Sequence, residues 1–314
     1  MKRKNNLAVI GRPSSNLKRR KKSSERSYHL MMLPGMLLIL IFCYIPMFGL
    51  IMAFQDYIPA KGILGSSFVG LKHFKYMFSL PDSWLIIRNT VVIALGKIIL
   101  GTVMSIGFAI ILNEVKNKLL KKSVQTIVYL PHFLSWVVLA SVVVNLFNLD
   151  GSVNQILSAL GLEKVNFLGS NELFQPLLIG TDVWKEFGYN SVVYLAAITA
   201  IDPVLHEAAS IDGASWRQRV WHITLPGMMP IILLMAAVNM SNILNAGFDQ
   251  VYNLYSPMVY ETGDILDTYV YRVGLISRQY SFGTAVGLFK SVIGMVLMLT
   301  ANGLAKKYAH RKIF

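Results

Sequence analysis

The chain alternates long apolar stretches with short polar connections. The apolar stretches cover residues 30–54, 90–112, 124–147, 175–200, 227–248 and 281–305. Each is long enough to cross a hydrocarbon core, which takes about 20 helical residues. The fourth is interrupted at residues 181–186, Thr-Asp-Val-Trp-Lys-Glu. We keep it as a span because the loop charges then sort correctly between the two sides of the membrane. The pattern predicts six transmembrane helices.

Composition indicates the same architecture. Apolar residues make up 54% of the 314 positions and charged residues 15%, and the mean hydropathy is +0.51, whereas soluble domains are about a quarter charged. The predicted fold class is therefore an all-α membrane protein. Cys43 is the single cysteine of the sequence, so this chain alone builds no disulfide and no thiolate metal cluster.

Lysine and arginine set the expected orientation. They concentrate in the tail 1–27, in the connection after the second apolar stretch and near the C-terminus. The positive-inside rule puts all three segments in the cytoplasm. A net charge of +14 beside a membrane span favours attraction to anionic membrane lipid over nucleic-acid binding. We expect a multi-pass plasma-membrane protein with both termini cytoplasmic and with no nucleic-acid partner.

The connection between the fourth and fifth stretches, residues 202–226, carries strong local signals. Asp202 is suited to cap a helix that has Pro203 at its first position. The Asp-Gly pair that ends at Gly213 supplies a turn, after which a second short helix is expected up to Pro226. The connection is therefore predicted to be a helical hairpin in the cytoplasm.

The same connection contains the pattern E-A-A-x3-G-x9-I-x-L-P without a gap. It resembles the EAA loop of the permeases of binding-protein-dependent, type I ATP-binding-cassette (ABC) importers. The resemblance implies a transmembrane domain with a cytoplasmic coupling helix that docks in a cleft of a separate ATPase. The coupling residues that it implies are Glu207, Ala208, Ala209, Asp212, Gly213, Ile223, Leu225 and Pro226. The alternative is an amphipathic helix that lies on the membrane without a partner.

Four further blocks resemble the oligosaccharide branch of this family, and the last two of them are similar to permeases for plant or algal polysaccharide fragments. The blocks are residues 54–56, 68–74, 247–255 and 264–272. The resemblance covers nearly the whole chain after residue 27. It implies a basic cytoplasmic tail at 1–27, a first transmembrane helix and extracellular loop at 28–85, and the importer core at 86–314.

Energy for transport has to come from another subunit. The sequence contains no G-x-x-x-x-G-K-[ST] phosphate loop, so we expect no ATP hydrolysis by this chain. We also expect no catalytic residue, no cofactor and no metal site. The resemblance implies a second permease that forms a heterodimer with this chain, an ABC ATPase dimer, an extracellular sugar-binding lipoprotein and an oligosaccharide substrate in a bacterial plasma membrane.

Polar and aromatic residues within and around spans four and five are candidates for the substrate path, because aromatic faces stack on sugar rings while amides and carboxylates bind hydroxyls. The candidates are Trp184, Glu186, Tyr189, Asn190, Tyr194, Asn239, Asn242, Asn245 and Asp249. Hydrogen bonds between helices are the alternative role for each of them. For Arg88, Lys97 and Lys290, snorkelling or helix pairing is favoured over attraction of an acidic sugar.

Two other classes of membrane protein compete with this interpretation. A secondary ion-coupled transporter would use the charged residues of spans four and six, and it would usually show inverted internal repeats, which the sequence lacks. An intramembrane enzyme would need a catalytic motif, and neither H-E-x-x-H nor G-x-S-x-G occurs.

Overall fold

The computed structural model describes residues 28–308. The predicted basic tail, 1–27, and the last six residues lie outside the described part. Within that part, five helices are long and apolar enough to cross a membrane, and a bent pair of helices brings the number to six. The pair is Asn171–Thr199 with Pro203–Ile211, which meet at 71°. The fold is helical and membrane-spanning, as the sequence predicts.

The first membrane helix, α1, runs over Tyr28–Phe54. It contains a π turn at Leu40–Tyr44 and ends in a 3-10 stretch at Phe48–Phe54. Residues up to Ile51 form one compact unit, and the chain from Met52 onward forms a second. All of the sites described below belong to the second unit.

The second unit begins with a small hairpin and continues in helices. Two short strands pair antiparallel, with Gln55 opposite Phe68 and Asp56 opposite Ser67. The elements are β1 (Gln55–Asp56), α2 (Gly62–Gly65), β2 (Ser67–Phe68), α3 (Lys72–Ser79), α4 (Pro81–Glu114), α5 (Lys118–Tyr129), α6 (Trp136–Phe147), α7 (Ser152–Ala159), α8 (Asn171–Thr199), α9 (Pro203–Ile211), α10 (Trp216–Arg219), α11 (Leu225–Ser241), α12 (Phe248–Leu254), α13 (Tyr260–Gly263), α14 (Leu266–Tyr269) and α15 (Tyr280–Tyr308).

The two long helices α4 and α8 form the centre of the second unit and pack extensively against each other. Ile93 on α4 and Phe174 and Leu178 on α8 are fully buried in the main apolar cluster. Small residues allow close approach in this bundle, as they do in membrane helices generally. A Cβ at Gly188 of α8, for example, would lie 2.5 Å from the backbone oxygen of Val128.

The third predicted span was placed wrongly. The sequence predicts one helix over 124–147, but α5 ends at Tyr129 and a 3-10 turn, Leu130–Phe133, follows it. Pro131 lacks the N–H that a continuing helix needs, and the Ser135 side chain caps α6 by accepting from the Val138 N–H. The apolar segment that qualifies as a span is therefore Trp136–Ala159.

Candidate functional site

The hairpin 202–226 begins as the sequence predicts. The Asp202 carboxylate accepts a hydrogen bond of 3.0 Å from the Val204 N–H, and Pro203 occupies the first turn of α9. An aspartate cap satisfies one of the free N–H groups at a helix start and stabilises the helix by about 1 kcal/mol. The predicted cap of this loop is confirmed.

The turn between α9 and α10 is closed by several local bonds. Gly213 has a φ of +78°, a left-handed conformation that glycine adopts at little cost. The Ala214 N–H donates to Ala209 O at 2.9 Å. Ser215 and Gln218 then form a capping box at the start of α10. These bonds fix the direction in which the chain returns.

The second arm of the hairpin differs from the expectation of a separate short helix. α10 continues through a π turn, Val220–Thr224, directly into α11. Within that turn the Leu225 N–H donates to Val220 O. The wider turn provides the space that the ring of Pro226 requires. The second arm is thus continuous with the fifth span.

The first arm of the hairpin presents an unusual surface. Ile211 is 87% exposed and Val204 62% exposed, and the neighbouring Ala208 is also exposed. Among the described residues, nothing forms a hydrogen bond or an ion pair with the exposed carboxylate of Glu207. Contiguous exposed apolar groups mark interaction sites. Of the other predicted coupling residues, Asp212 and Pro226 are exposed, and Ala209, Ile223 and Leu225 are half-buried.

A polar cavity of about 230 Å³ lies between α4, α8, α11 and the segment that follows α11. Most of the predicted path residues line it. They are Glu186, Asn190, Tyr194, Asn239, Asn242 and Asn245. Thr102 and Ser105 of α4 add hydroxyl groups to the same wall. The cavity thus combines amides, hydroxyls, a phenol, the carboxylates of Asp182 and Glu186 and the ammonium of Lys97.

The remaining predicted path residues lie outside this cavity. Trp184 is 49% exposed, and Asp249, in the first turn of α12, is also exposed. Tyr189 stacks on His132 at a ring-centroid distance of 3.9 Å and an angle of 3°. One face of the Tyr189 ring is thereby covered by the turn between α5 and α6.

An ion pair joins the two central helices at the edge of the cavity. Lys97 Nζ on α4 lies 3.2 Å from the Asp182 carboxylate on α8. The same ammonium donates to Ala246 O at 2.7 Å and also bonds the Gln250 side chain. The helix-pairing role favoured for Lys97 is therefore observed. Lys290 likewise forms an ion pair of 2.6 Å, with Asp267.

A second charged cluster lies one turn further along α8. The Glu186 carboxylate binds Lys185 Nζ at 2.6 Å and His132 Nδ1 at 2.7 Å. Lys185 also donates to His132 O at 3.0 Å. Glu186 therefore both lines the cavity and connects α8 to the broken third span. The sequence did not indicate His132, although its position directly after Pro131 marks a break.

Long apolar helices around a polar cavity, with a capped hairpin between two of them, define a polytopic helical membrane protein with a polar interior. The chain belongs to the family of binding-protein-dependent transport system inner membrane components, whose family model matches residues 105–312. It is therefore a transport component and not an enzyme. Family membership also excludes the alternative that the chain is a secondary ion-coupled transporter.

Similar proteins support this assignment. The chain is 44% identical over 291 residues to the polygalacturonan/rhamnogalacturonan transport system permease protein YteP of Bacillus subtilis (strain 168), covering 92% of this chain and 91% of the relative. It matches a crystal structure of a bacterial alginate ABC transporter in complex with an alginate pentasaccharide-bound periplasmic protein, at a TM-score of 0.84, with 40% identity and coverage of 93% of this chain and 98% of that chain. A crystal structure of a bacterial ABC transporter involved in the import of the acidic polysaccharide alginate gives a TM-score of 0.83, with 40% identity and coverage of 92% and 99%.

Proposed function

We propose that this chain is a permease subunit of an ABC importer that carries an acidic oligosaccharide, a fragment of a plant or algal polysaccharide, across a bacterial plasma membrane. The observation that carries the proposal is the polar cavity between α4, α8 and α11. The likeness to a polygalacturonan/rhamnogalacturonan permease and to an alginate importer supports the acidic saccharide class, because both cargoes contain uronic acids.

The chemistry of the cavity suits a saccharide. A sugar that leaves water must exchange its hydration for new hydrogen bonds, because a buried polar group without a partner costs about 1–3 kcal/mol. The amides of Asn190, Asn239 and Asn242 each supply a carbonyl oxygen and an NH₂ group, so they match hydroxyls that both donate and accept. Tyr194 also lines the cavity, where its phenol can donate and accept hydrogen bonds. Together they form the substrate path of this subunit.

The hairpin 202–226 is the contact to the ATPase. Its first arm, α9, offers exposed apolar residues and the unpaired carboxylate of Glu207. An arginine on the ATPase would bind this carboxylate in a bidentate geometry. Because the second arm continues into α11, a displacement of the hairpin is transmitted to the helix that carries Asn239.

The subunit works in an assembly. A second permease completes the transmembrane path as a heterodimer, an ABC ATPase dimer binds the hairpin, and an extracellular lipoprotein delivers the sugar. The hairpin lies in the cytoplasm together with both termini, as the positive-inside rule requires. The complex is a multi-pass assembly of the plasma membrane.

The experiment that tests the path compares two asparagines. In the reconstituted importer, Asn190→Leu removes an amide from the cavity, whereas Asn113→Leu removes an exposed amide near the end of α4, outside the cavity. We expect Asn190→Leu to lower acidic-oligosaccharide uptake by about tenfold, which corresponds to the loss of about 1.4 kcal/mol, while basal ATPase activity stays normal. Equal uptake by both variants would refute the proposal that the cavity is the substrate path.

A further inference from the structure

A second cavity, of about 490 Å³, lies between β1 with the residues that follow it, α3 and the start of α15. We call it the outer pocket. Its lining includes Tyr57, Lys72, His73, Tyr76, Arg278 and Tyr280. This volume lies within the range of about 300–1,000 Å³ that is usual for small-molecule sites. The lining combines aromatic rings with cationic groups and the carboxylate of Asp56.

The walls of the outer pocket are held in place without a ligand. The Tyr57 N–H donates to the Ser281 hydroxyl at 2.8 Å, and the rings of Tyr57 and Tyr280 meet edge-to-face at 6.1 Å. Tyr76 forms a similar edge-to-face pair with Phe282 at 5.4 Å. A preformed pocket loses little conformational freedom when it binds a ligand.

The cations of the pocket differ in how they are paired. Lys72 Nζ lies 2.7 Å from the Asp56 carboxylate, and His73 Nε2 lies 3.1 Å from it. The hydrogen bond from Lys72 holds the pKa of Asp56 below its usual value, so Asp56 stays ionised and neutralises Lys72. Arg278 has no hydrogen-bond or ion-pair partner within the described part of the chain. The guanidinium of Arg278, a lining residue of the pocket, is therefore free to bind a ligand.

The backbone at Arg278 gives independent support for a role of its side chain. Its φ of 59° is the left-handed conformation, in which residues with a Cβ are disfavoured and glycine is preferred. The position follows the π turn Val270–Ile276, and the Ser277 N–H donates to Arg272 O at 3.0 Å to close the turn. Backbone strain of this kind concentrates at ligand-binding sites.

We place the outer pocket and the hairpin 202–226 at opposite faces of the membrane. The hairpin precedes α11, and α11 crosses the membrane before the segment that leads to Arg278 and the start of α15. In the proposed orientation the hairpin faces the ATPase. The outer pocket then faces the side from which the sugar arrives.

We propose that the outer pocket recognises a carboxylate-bearing sugar unit of the arriving oligosaccharide. Arg278 forms the bidentate contact with the carboxylate, since its planar guanidinium matches the two oxygens. The rings of Tyr57 and Tyr280 give the sugar ring an apolar face. This inference rests on the proposed function and extends it with an acid-selective site distinct from the cavity within the spans.

The test uses the complete importer in nanodiscs of neutral lipid. Arg278→Gly suits the left-handed backbone, so the variant should fold at least as well as the parent. Lys75→Gln, an exposed cation on α3 outside the pocket, is the matched control. We measure the binding of a galacturonic acid trimer and of its neutral methyl ester by calorimetry, and uptake of both at a series of concentrations.

We expect Arg278→Gly to weaken binding of the acidic trimer by about tenfold, as for one lost charge-assisted hydrogen bond. The methyl ester should bind both proteins equally, and Arg278→Lys should restore part of the affinity. The half-saturating concentration for uptake of the acid should rise with the maximal rate unchanged. Lys75→Gln should behave like the parent in every assay.

Three outcomes would overturn the inference. Equal binding of acid and ester by the parent would exclude a carboxylate site. Weaker docking of empty and loaded binding protein alike would make the pocket a protein interface. A defect that appears only with anionic vesicles would make it a lipid headgroup site. If the parent imports no acidic saccharide at all, the proposed function fails instead, so the two failures are distinguishable.

Discussion

At the scale of single residues, the ion pair between Lys97 and Asp182 determines how the centre of the bundle is held together. The side chains are 9% and 21% exposed, so both charges are largely removed from water. Such a pair adds little net stability compared with apolar residues, but removal of one partner leaves an uncompensated charge. The pair therefore specifies which faces of α4 and α8 meet.

This arrangement gives a clear expectation for stability. We expect Lys97→Met to destabilise the folded importer strongly, by about 3–5 kcal/mol, because Asp182 is left without its counterion. The double variant Lys97→Met with Asp182→Leu should recover much of that loss. Midpoint temperatures of unfolding in detergent measure both effects, and a double variant less stable than the single one would contradict the argument.

The same pair marks a limit of inference from sequence. Lys97 and the polar run that contains Asp182 are both visible in the sequence, and a helix-pairing role was favoured for Lys97. The sequence alone could not identify Asp182 as the partner of Lys97, because the contact between α4 and α8 is tertiary and the two residues are 85 positions apart. Asp202 is different, since a cap depends only on its own helix start.

At the scale of elements, glycine determines how closely α8 approaches its neighbours. Gly188 faces Val128 near the end of α5, where a Cβ would lie 2.5 Å from a backbone oxygen. Gly180, two turns earlier on the same helix, would meet nothing within 4 Å. The two glycines share a helix and differ only in what faces them.

We therefore expect opposite effects from the same substitution. Gly188→Ala should lower the midpoint temperature of the purified complex, because α5 has to move away from α8. Gly180→Ala should be neutral or stabilising by up to about 1 kcal/mol, since alanine favours the helix more than glycine does. Thermal unfolding of both variants gives the comparison, and a stable Gly188→Ala protein would show that the contact yields easily.

The hairpin 202–226 was the element that the sequence described best, because its signals are local. The cap, the turn glycine and the alanines all act within a few residues. The continuity of α10 with α11 was missed, because Leu225-Pro226 reads as a stop whereas a π turn lets the helix pass the proline. The break after Tyr129 was missed because the third span was predicted from hydropathy alone. Hydropathy takes no account of the backbone N–H that Pro131 lacks.

The hairpin also predicts how coupling fails. We expect Glu207→Ala to insert and assemble normally while transport is lost, because the residue lies on the exposed arm α9 and its carboxylate has no partner among the described residues. Glu163→Ala, in the exposed connection after α7, is the matched control. Basal ATPase activity and sugar uptake in proteoliposomes are the two measurements. Normal uptake by Glu207→Ala would show that this carboxylate takes no part in the coupling contact.

At the scale of the whole molecule, the chain combines the polar cavity, the hairpin 202–226 and the outer pocket, but its sequence contains no phosphate loop. Hydropathy predicted the number of spans and the position of all of them except the third, because the bilayer sets the length of every spanning helix. The composition of the cavity walls was predicted only in part. Helix rotation decides which polar residues point inward, and rotation depends on packing.

The last prediction concerns the cargo of the assembled importer. We expect its ATPase to be stimulated by binding protein loaded with an acidic oligosaccharide, and to be stimulated less by binding protein loaded with a neutral one. The physical reason is that the hydroxyls of the substrate need hydrogen-bond partners in the cavity, where an unpaired polar group costs about 1–3 kcal/mol. Its carboxylates need a partner outside the cavity, which Arg278 of the outer pocket would provide.

The measurement needs the second permease and the ATPase coexpressed with this chain, because the chain alone should hydrolyse no ATP. Binding proteins loaded with an amino acid or a peptide serve as controls, and Asn245→Leu in the cavity should reduce the stimulation while the complex still assembles. Stimulation by a peptide and by no saccharide would overturn the substrate class. The family assignment would stand in that case, since it rests on residues 105–312 and not on the cargo.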